Sequence, residues 1–333
     1  MTLPAFRILQ PRNIAEACRM LDEHAPDAMI IAGGTDVIPN LQMKLFTPRI
    51  LVDIKSLSEL SRIEFSPARG LTIGAAASLT RVLETPWLAR EFPVLASAIA
   101  TIAGPLQRNM GTIGGNLCLE TRCRWYNQSH FWRQSLGGCL KKDGDVCHVA
   151  PGGKFCWAAW SGDSAPAFLT LDAEVEVSSV FGTRRIPLPD FYKNDGKDRI
   201  ALTRNELLTA VHVPPQMAGL RGVYHKLRVR DSIDYPLAGV AVAMQADSSG
   251  FCRDARVALS AVNPAPLLVH EAAQNLIGKK WSPELAEQAA HAAIRTGKPL
   301  TTSASTPVYR REMLRVFTRR ALEETWNSSH SRL

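Results

Sequence analysis

Arg108-Asn109-Met110-Gly111-Thr112-Ile113-Gly114-Gly115-Asn116 opens, and Ser161-Gly162-Asp163-Ser164-Ala165-Pro166 closes, the stretch around which the chain is organised. The 46 residues between Asn116 and Asp163 hold five of the chain's seven cysteines and four of its seven tryptophans. A glycine-rich turn, a cysteine-rich insert and a Gly-Asp turn in succession point to two redox groups placed side by side.

Working outward, the N-terminal side carries another glycine turn. Ala28-Met29-Ile30-Ile31-Ala32 is a short continuous apolar run, as a buried strand shows, and it ends at Gly33-Gly34-Thr35-Asp36. Glycine lets the backbone turn sharply and brings N–H groups up to a phosphate with no Cβ in the way. Alone, Gly33-Gly34 reads first as an ordinary turn. Two such turns, each bordering an apolar run, can pinch a pyrophosphate between backbone amides, with the Thr112 and Asn116 side chains as further donors. The pattern is not G-x-G-x-x-G, and no acidic residue stands where a dinucleotide ribose would need one, so a nicotinamide fold is disfavoured.

Helical and strand patterns follow one another along the rest of the chain. Ile14 to Leu21 has apolar residues at helical spacing, with Asn13 placed as N-cap. Helices are expected over Leu41–Leu45, from Ser78 with a hydroxyl cap, and from Phe92 to Ala103. Strands are expected over Arg49–Ile54, Gly70–Ala76, Ala173–Val177 and Leu207–Val213, with a polar loop from Tyr192 to Arg199. Pro and Gly enrichment between Pro215 and Gly222 marks a domain boundary. Beyond it, strands over Gly239–Met244 and Ala255–Val262 precede helices over Pro283–Arg295 and Tyr309–Trp326, the order of a compact α+β domain. The expected architecture is α+β, with units at 1–55, at 56–215 (holding a cysteine insert at 117–160) and at 222–333.

Bulk properties narrow the function. A chain of 333 residues is too long for one ordinary core. Hydrophobic content of 46% with 21% charged residues is that of a globular protein in water. No apolar run reaches membrane-spanning length, so no membrane partner is expected. The N-terminus lacks the order of a secretory signal, which leads to a cytoplasmic expectation and hence to reduced thiols. The net charge of +8 is dispersed without an aromatic-interleaved basic stripe, so nucleic acid is not an expected partner. An acidic protein partner accounts for the charge equally well.

Cys123, Cys139, Cys147 and Cys156 are separated by 15, 7 and 8 residues. Zinc sites usually show close C-x₂₋₄-C knuckles, and none is present. A long loop with wide, irregular spacing better suits four thiolates around a [4Fe–4S] cluster. Arg122, Arg124, Arg133, Lys141, Lys142 and Lys154 outnumber the acidic residues nearby, which would offset an anionic cluster and attract an acidic electron carrier. Glycines 137, 138, 144, 152 and 153 suit tight wrapping. Trp125, Trp132, Trp157 and Trp160 are expected to shield the group from water, while Cys18, Cys118 and Cys252 read as small core residues.

These residues resemble a known family. Ala32-Gly33-Gly34-Thr35-Asp36, Thr112-Ile113-Gly114-Gly115-Asn116, Gly162-Asp163 and Tyr224-His225-Lys226-Leu227 are similar to the FAD-binding medium subunit of the xanthine oxidase family of molybdenum hydroxylases, over nearly the whole chain. Most members have only a short loop where this chain has its insert. Four cysteines at this spacing resemble the 4-hydroxybenzoyl-CoA reductase branch, in which the loop binds an additional [4Fe–4S] cluster. The resemblance implies a two-part FAD-binding domain with an inserted Fe–S loop, followed by the family's C-terminal α+β domain. It implies that Ala32, Gly33, Gly34, Thr35 and Asp36, with Asn109, Gly111, Thr112, Gly114, Gly115 and Asn116, wrap the FAD. Asp163 would bond flavin ribose or ribityl hydroxyls. Lys226 would lie near the isoalloxazine ring, where a cation favours reduced flavin; without the family it reads as a solvated strand-end lysine. Cys123, Cys139, Cys147 and Cys156 would ligate the cluster. The implied partners are a molybdenum-cofactor large subunit and a [2Fe–2S] small subunit in a dimer of heterotrimers, with ferredoxin as electron donor. The implied role is electron entry for reductive dehydroxylation to benzoyl-CoA. The alternative is a member acting oxidatively on an aromatic or heterocyclic substrate.

Overall fold

The computed structural model describes residues 2–330. Near the N-terminus, Asn13 Oδ1 accepts the Glu16 amide at 2.8 Å and starts a helix over Ile14–Glu23, as the sequence predicts. Ala17, Cys18 and Leu21 bury its apolar face. The helix joins strands β1 (Arg7–Leu9), β2 (Ala28–Ile31) and β3 (Ile50–Asp53), which form a small parallel sheet in the order β1-β3-β2. The first glycine turn leaves the C-terminal end of β2. The next helix begins at once and spans Val37–Gln42, not Leu41–Leu45. Pro39 is tolerated there because it falls in the first turn, and the apolar signal at Leu41 and Leu45 marks the buried exit of the helix.

The second sheet has five antiparallel strands. They are β4 (Ile63–Ser66), β5 (Gly70–Gly74), β6 (Glu174–Ser179), β7 (Gly182–Pro187) and β8 (Leu207–Val213), in the order β4-β5-β8-β6-β7. The edge strands β4 and β7 escape the sequence reading. Most of β7 is exposed, so no alternating apolar pattern announces it. Residues from helices over Leu79–Leu83, Pro93–Ala100 and Ser164–Leu169 join the inner face of this sheet in the main core.

The third sheet, β9 (Arg221–Leu227), β10 (Ala238–Ala246), β11 (Cys252–Ser260) and β12 (Leu267–Leu268), is antiparallel in the order β12-β11-β10-β9. Val240, Val242 and Met244 of β10 face helices His270–Leu276, Pro283–Thr296 and Pro307–His330, while Ala241 and Ala243 belong to the main core. Burial on both faces explains the unbroken apolar run of β10. Arg310 is fully buried and donates to the carbonyls of Leu237, Ala261 and Leu300, tying the last helix to the sheet. Burial lowers its pKa to about 10. Among the described residues no helix is long and apolar enough to cross a membrane.

Candidate functional site

The two glycine turns meet face to face. A Cβ on Gly33 would lie 2.0 Å from the Met110 carbonyl oxygen, and one on Gly114 would lie 2.7 Å from the Ala75 Cβ. Gly34 adopts φ +72°, a conformation that glycine takes without strain. The joined turns open on a cavity of about 1110 Å³, just above the usual range for small-molecule sites. Eleven of the thirteen residues expected around a flavin line it: Ala32, Gly33, Gly34, Thr35, Asp36, Gly111, Thr112, Gly114, Gly115, Asn116 and Asp163.

The other two lie elsewhere. Asn109 is exposed, and its Oδ1 accepts the Thr80 hydroxyl at 2.7 Å. Lys226 is neither solvated nor on the cavity wall: its side chain is 2% exposed and pairs with Asp163 Oδ2 at 2.9 Å, while also donating to the Thr101 carbonyl at 3.0 Å. The other Asp163 oxygen accepts the Tyr224 hydroxyl at 2.7 Å. Burial pushes the Asp163 pKa up despite these partners. Lys226 therefore acts first on Asp163.

The polar side chains of the turns are also spent inside the protein. Thr112 Oγ1 accepts the Gly115 amide at 3.1 Å and caps a short helix, Ile113–Leu117, where the sequence suggests a bare turn. Asn116 Oδ1 accepts the Ser164 amide and hydroxyl at 3.1 and 2.6 Å, joining the second glycine turn to the Gly-Asp turn. Asp36 accepts Arg122 Nη2 at 3.2 Å and the Glu120 amide at 3.4 Å, and burial raises its pKa. These bonds use the acceptor oxygens of Thr112, Asn116 and Asp36, and through them the side chains hold the turns in place.

The four insert cysteines converge. Cys123, Cys139, Cys147 and Cys156 are all buried and line one small cavity of about 20 Å³, room for about one water. Trp125, Tyr126, Lys141 and His148 share its wall. The Ala158 amide donates to Cys156 Sγ at 3.4 Å, while the Tyr126 and Asn127 amides donate to the Cys123 carbonyl at 2.9 Å each. Burial, aided by neighbouring thiols, pushes Cys123 to about 11 and Cys156 to about 12, against amide bonds that favour thiolate. Among the described residues no group of three or more His, Cys, Asp or Glu side chains is gathered to hold a single metal ion. Trp125 packs against Trp132 and His148. Trp160 departs from expectation: it sits in the main core against Tyr192. Cys118 packs against the main core, as expected, and also lines the larger cavity.

Contacts that spacing in the sequence does not reveal join the insert to the flavin-sized cavity. Arg133 donates to the Met43 and Lys44 carbonyls at 3.0 Å each, docking the insert on the end of helix Val37–Gln42. Lys141 pairs with Glu120, and Arg199 Nη1 lies 3.5 Å from the other Glu120 oxygen. Burial would raise Glu120, but these two cations outweigh it and hold its carboxyl below the ordinary value. Arg122 bonds the Tyr235 hydroxyl and lies over its ring. Each partner is far away in sequence, so no local motif marks it.

Comparison with known proteins agrees with this geometry. Residues 4–216 match the family described as the FAD binding domain in molybdopterin dehydrogenase, and residues 223–325 match the CO dehydrogenase flavoprotein C-terminal domain. The chain is 35% identical over 279 residues to the aldehyde oxidoreductase FAD-binding subunit PaoB of Escherichia coli (strain K12), covering 81% of this chain and 85% of that one. It is 28% identical over 313 residues to the putative xanthine dehydrogenase FAD-binding subunit XdhB of the same organism, covering 94% and 93%. Among solved structures it resembles a chain of the cyanide-inactivated Cu,Mo-CO dehydrogenase, with a TM-score of 0.81 at 27% identity over 98% of this chain and 99% of that one.

Proposed function

The chain belongs to the family of FAD-binding subunits of molybdenum hydroxylases, and from that premise we propose that it is an electron-transfer subunit carrying FAD in the large cavity and a [4Fe–4S] cluster on Cys123, Cys139, Cys147 and Cys156. One observation carries the reading: four buried thiols from a long insert wall a single cavity, with an amide aimed at one of them. The donor set suits a cluster. The cavity is tighter than a cluster, and the loops around it turn at Gly137, Gly138 and Gly152 with positive φ.

The amides of residues 32–36 and 111–116 would hold the FAD pyrophosphate and ribityl chain, with Asp163 fixed by Lys226 and Tyr224 beside them. When bound, the flavin supplies a site for one or two electrons and the cluster a site for one. The chain's own work is to bind both groups and exclude water between them. The division into units at 1–55, 56–215 and 222–333 belongs to the same reading. So do a molybdenum-cofactor large subunit and a [2Fe–2S] small subunit in a dimer of heterotrimers; the names of relatives, "subunit" and "medium chain", support partner chains.

Two directions of electron flow are in play. The insert favours entry from reduced ferredoxin and reduction of 4-hydroxybenzoyl-CoA to benzoyl-CoA on the partner. The 35% identity to an aldehyde oxidoreductase subunit favours the oxidative reading, with electrons leaving through this chain. The test uses the anaerobically purified complex. Benzoyl-CoA formed with reduced ferredoxin supports the first; reduction of a dye by an aldehyde or heterocycle, without benzoyl-CoA formation, supports the second. Absence of FAD from the complex would overturn both.

A further inference from the structure

A buried ion pair stands between the two cavities. Lys141 lines the thiol cavity and is its only lysine or arginine among the described residues. Its ammonium donates to Glu120 Oε1 and to the Thr121 hydroxyl, and lies 4.4 Å from the centre of the Tyr126 ring. Glu120 lines the large cavity, and its backbone amide bonds Asp36 of the first glycine turn. Both side chains of the pair are 5% exposed. Buried ion pairs seldom add stability over apolar packing of the same volume, so this placement calls for a purpose other than folding.

We infer that the Lys141–Glu120 pair sets the reduction potential of the group held by the four thiols relative to the flavin. This inference rests on the cluster reading above. Reduction adds negative charge at the thiol site. In a water-poor interior, an ammonium on the wall of that site favours the reduced form. The carboxylate stands behind it, toward the flavin cavity, and cancels part of that effect. Lys141 and Glu120 touch no substrate; they act as positioned charges.

The experiment is a redox titration of the complete complex, following the cluster by electron paramagnetic resonance and the flavin by absorbance, with iron content measured on every sample. In Lys141→Met the reduced-to-oxidised ratio of the cluster at fixed ambient potential should fall at least tenfold, about 59 mV for a one-electron couple, and the flavin ratio should move less than threefold. Glu120→Gln should move the cluster ratio the opposite way by at least threefold, which structural damage does not predict. Lys141→Arg should stay within threefold of wild type. The inference is overturned if Lys141→Met keeps its iron and its ratio. It is equally overturned if Glu120→Gln leaves the ratio unchanged or shifts it downward, or if Lys141→Arg shifts it as far as Met does. Should Lys141→Met lose its iron, the other two variants decide. A wild-type complex without cluster iron would instead sink the cluster reading itself, a separate result.

Discussion

The two cavities are walled by opposite means. The large one is built from backbone: glycines bring two turns into contact, and Thr112 and Asn116 hold those turns by accepting backbone amides. The small one is built from side chains, four thiols with an aromatic and charged surround on loops that have little regular structure beyond the helix His130–Ser135. Each is flanked by a buried lysine–carboxylate pair, and the pairs differ in a way that matters. Asp163 is fully buried and has one close cation, so burial wins and its pKa rises. Glu120 faces two, Lys141 and Arg199, so the cations win and its pKa falls. The same chemical pairing therefore gives opposite proton affinities, decided by the number of opposing charges.

The largest effect should come from the backbone-built cavity. Gly33→Val would drive a side chain into the Met110 carbonyl. The expected result is loss of at least 100-fold in FAD affinity, or failure to fold, read by flavin content and thermal melting; a variant that melts like wild type and retains flavin would contradict the close approach of the turns.

Next is Lys226→Met, which strands the Asp163 carboxylate inside the protein and should cost about 3–5 kcal/mol near neutral pH by urea unfolding. Asp163 would then hold its proton to still higher pH in the folded state than in the unfolded one. Stability of the variant should therefore fall as pH rises from about 4 through that raised folded value. Adding Asp163→Asn should recover most of the loss; no recovery would mean that Lys226 serves another partner.

Smaller still is Arg199→Met, which removes one of two cations from Glu120 and two bonds, each 3.0 Å, to the Leu119 and Cys118 carbonyls. A cost of about 1–2 kcal/mol is expected at pH 7. Because Glu120 is held below its ordinary 4.5 when folded, its share of that stability is present above pH 4.5 and is lost as pH falls through the lowered folded value. Removing a cation lifts the folded carboxyl pKa in either variant, so the cost of each relative to wild type should grow as pH rises; a cost of Arg199→Met that does not shrink as pH falls below 4.5 would contradict a lowered Glu120 in the wild type.

Much of this was legible in the sequence because the informative residues act locally. Glycine after an apolar strand, Asn13 three residues before Glu16, and clustered cysteines all carry their meaning within a few positions. The edge strands β4 and β7 were not legible because a strand exposed at a sheet edge needs no alternation. The burial of Lys226 was not legible because its partner Asp163 is 63 residues away, at the start of the helix Ser164–Leu169. The Glu120 hub was missed for the same reason: Lys141, Arg199 and Asp36 reach it from three separate segments. Trp160 sits in composition with the insert but packs with the main core, since burial follows the chain's return to the second sheet rather than its neighbours in sequence.

The claim that the insert holds a cluster beside the flavin is tested most directly by iron, sulfide and FAD analysis of the anaerobically purified complex, comparing wild type with Cys139→Ser. The account predicts that the variant loses about four irons with their sulfide and keeps its FAD. Equal iron in both proteins, with FAD bound, would contradict it and leave the four thiols as a structural feature of an ordinary flavin subunit.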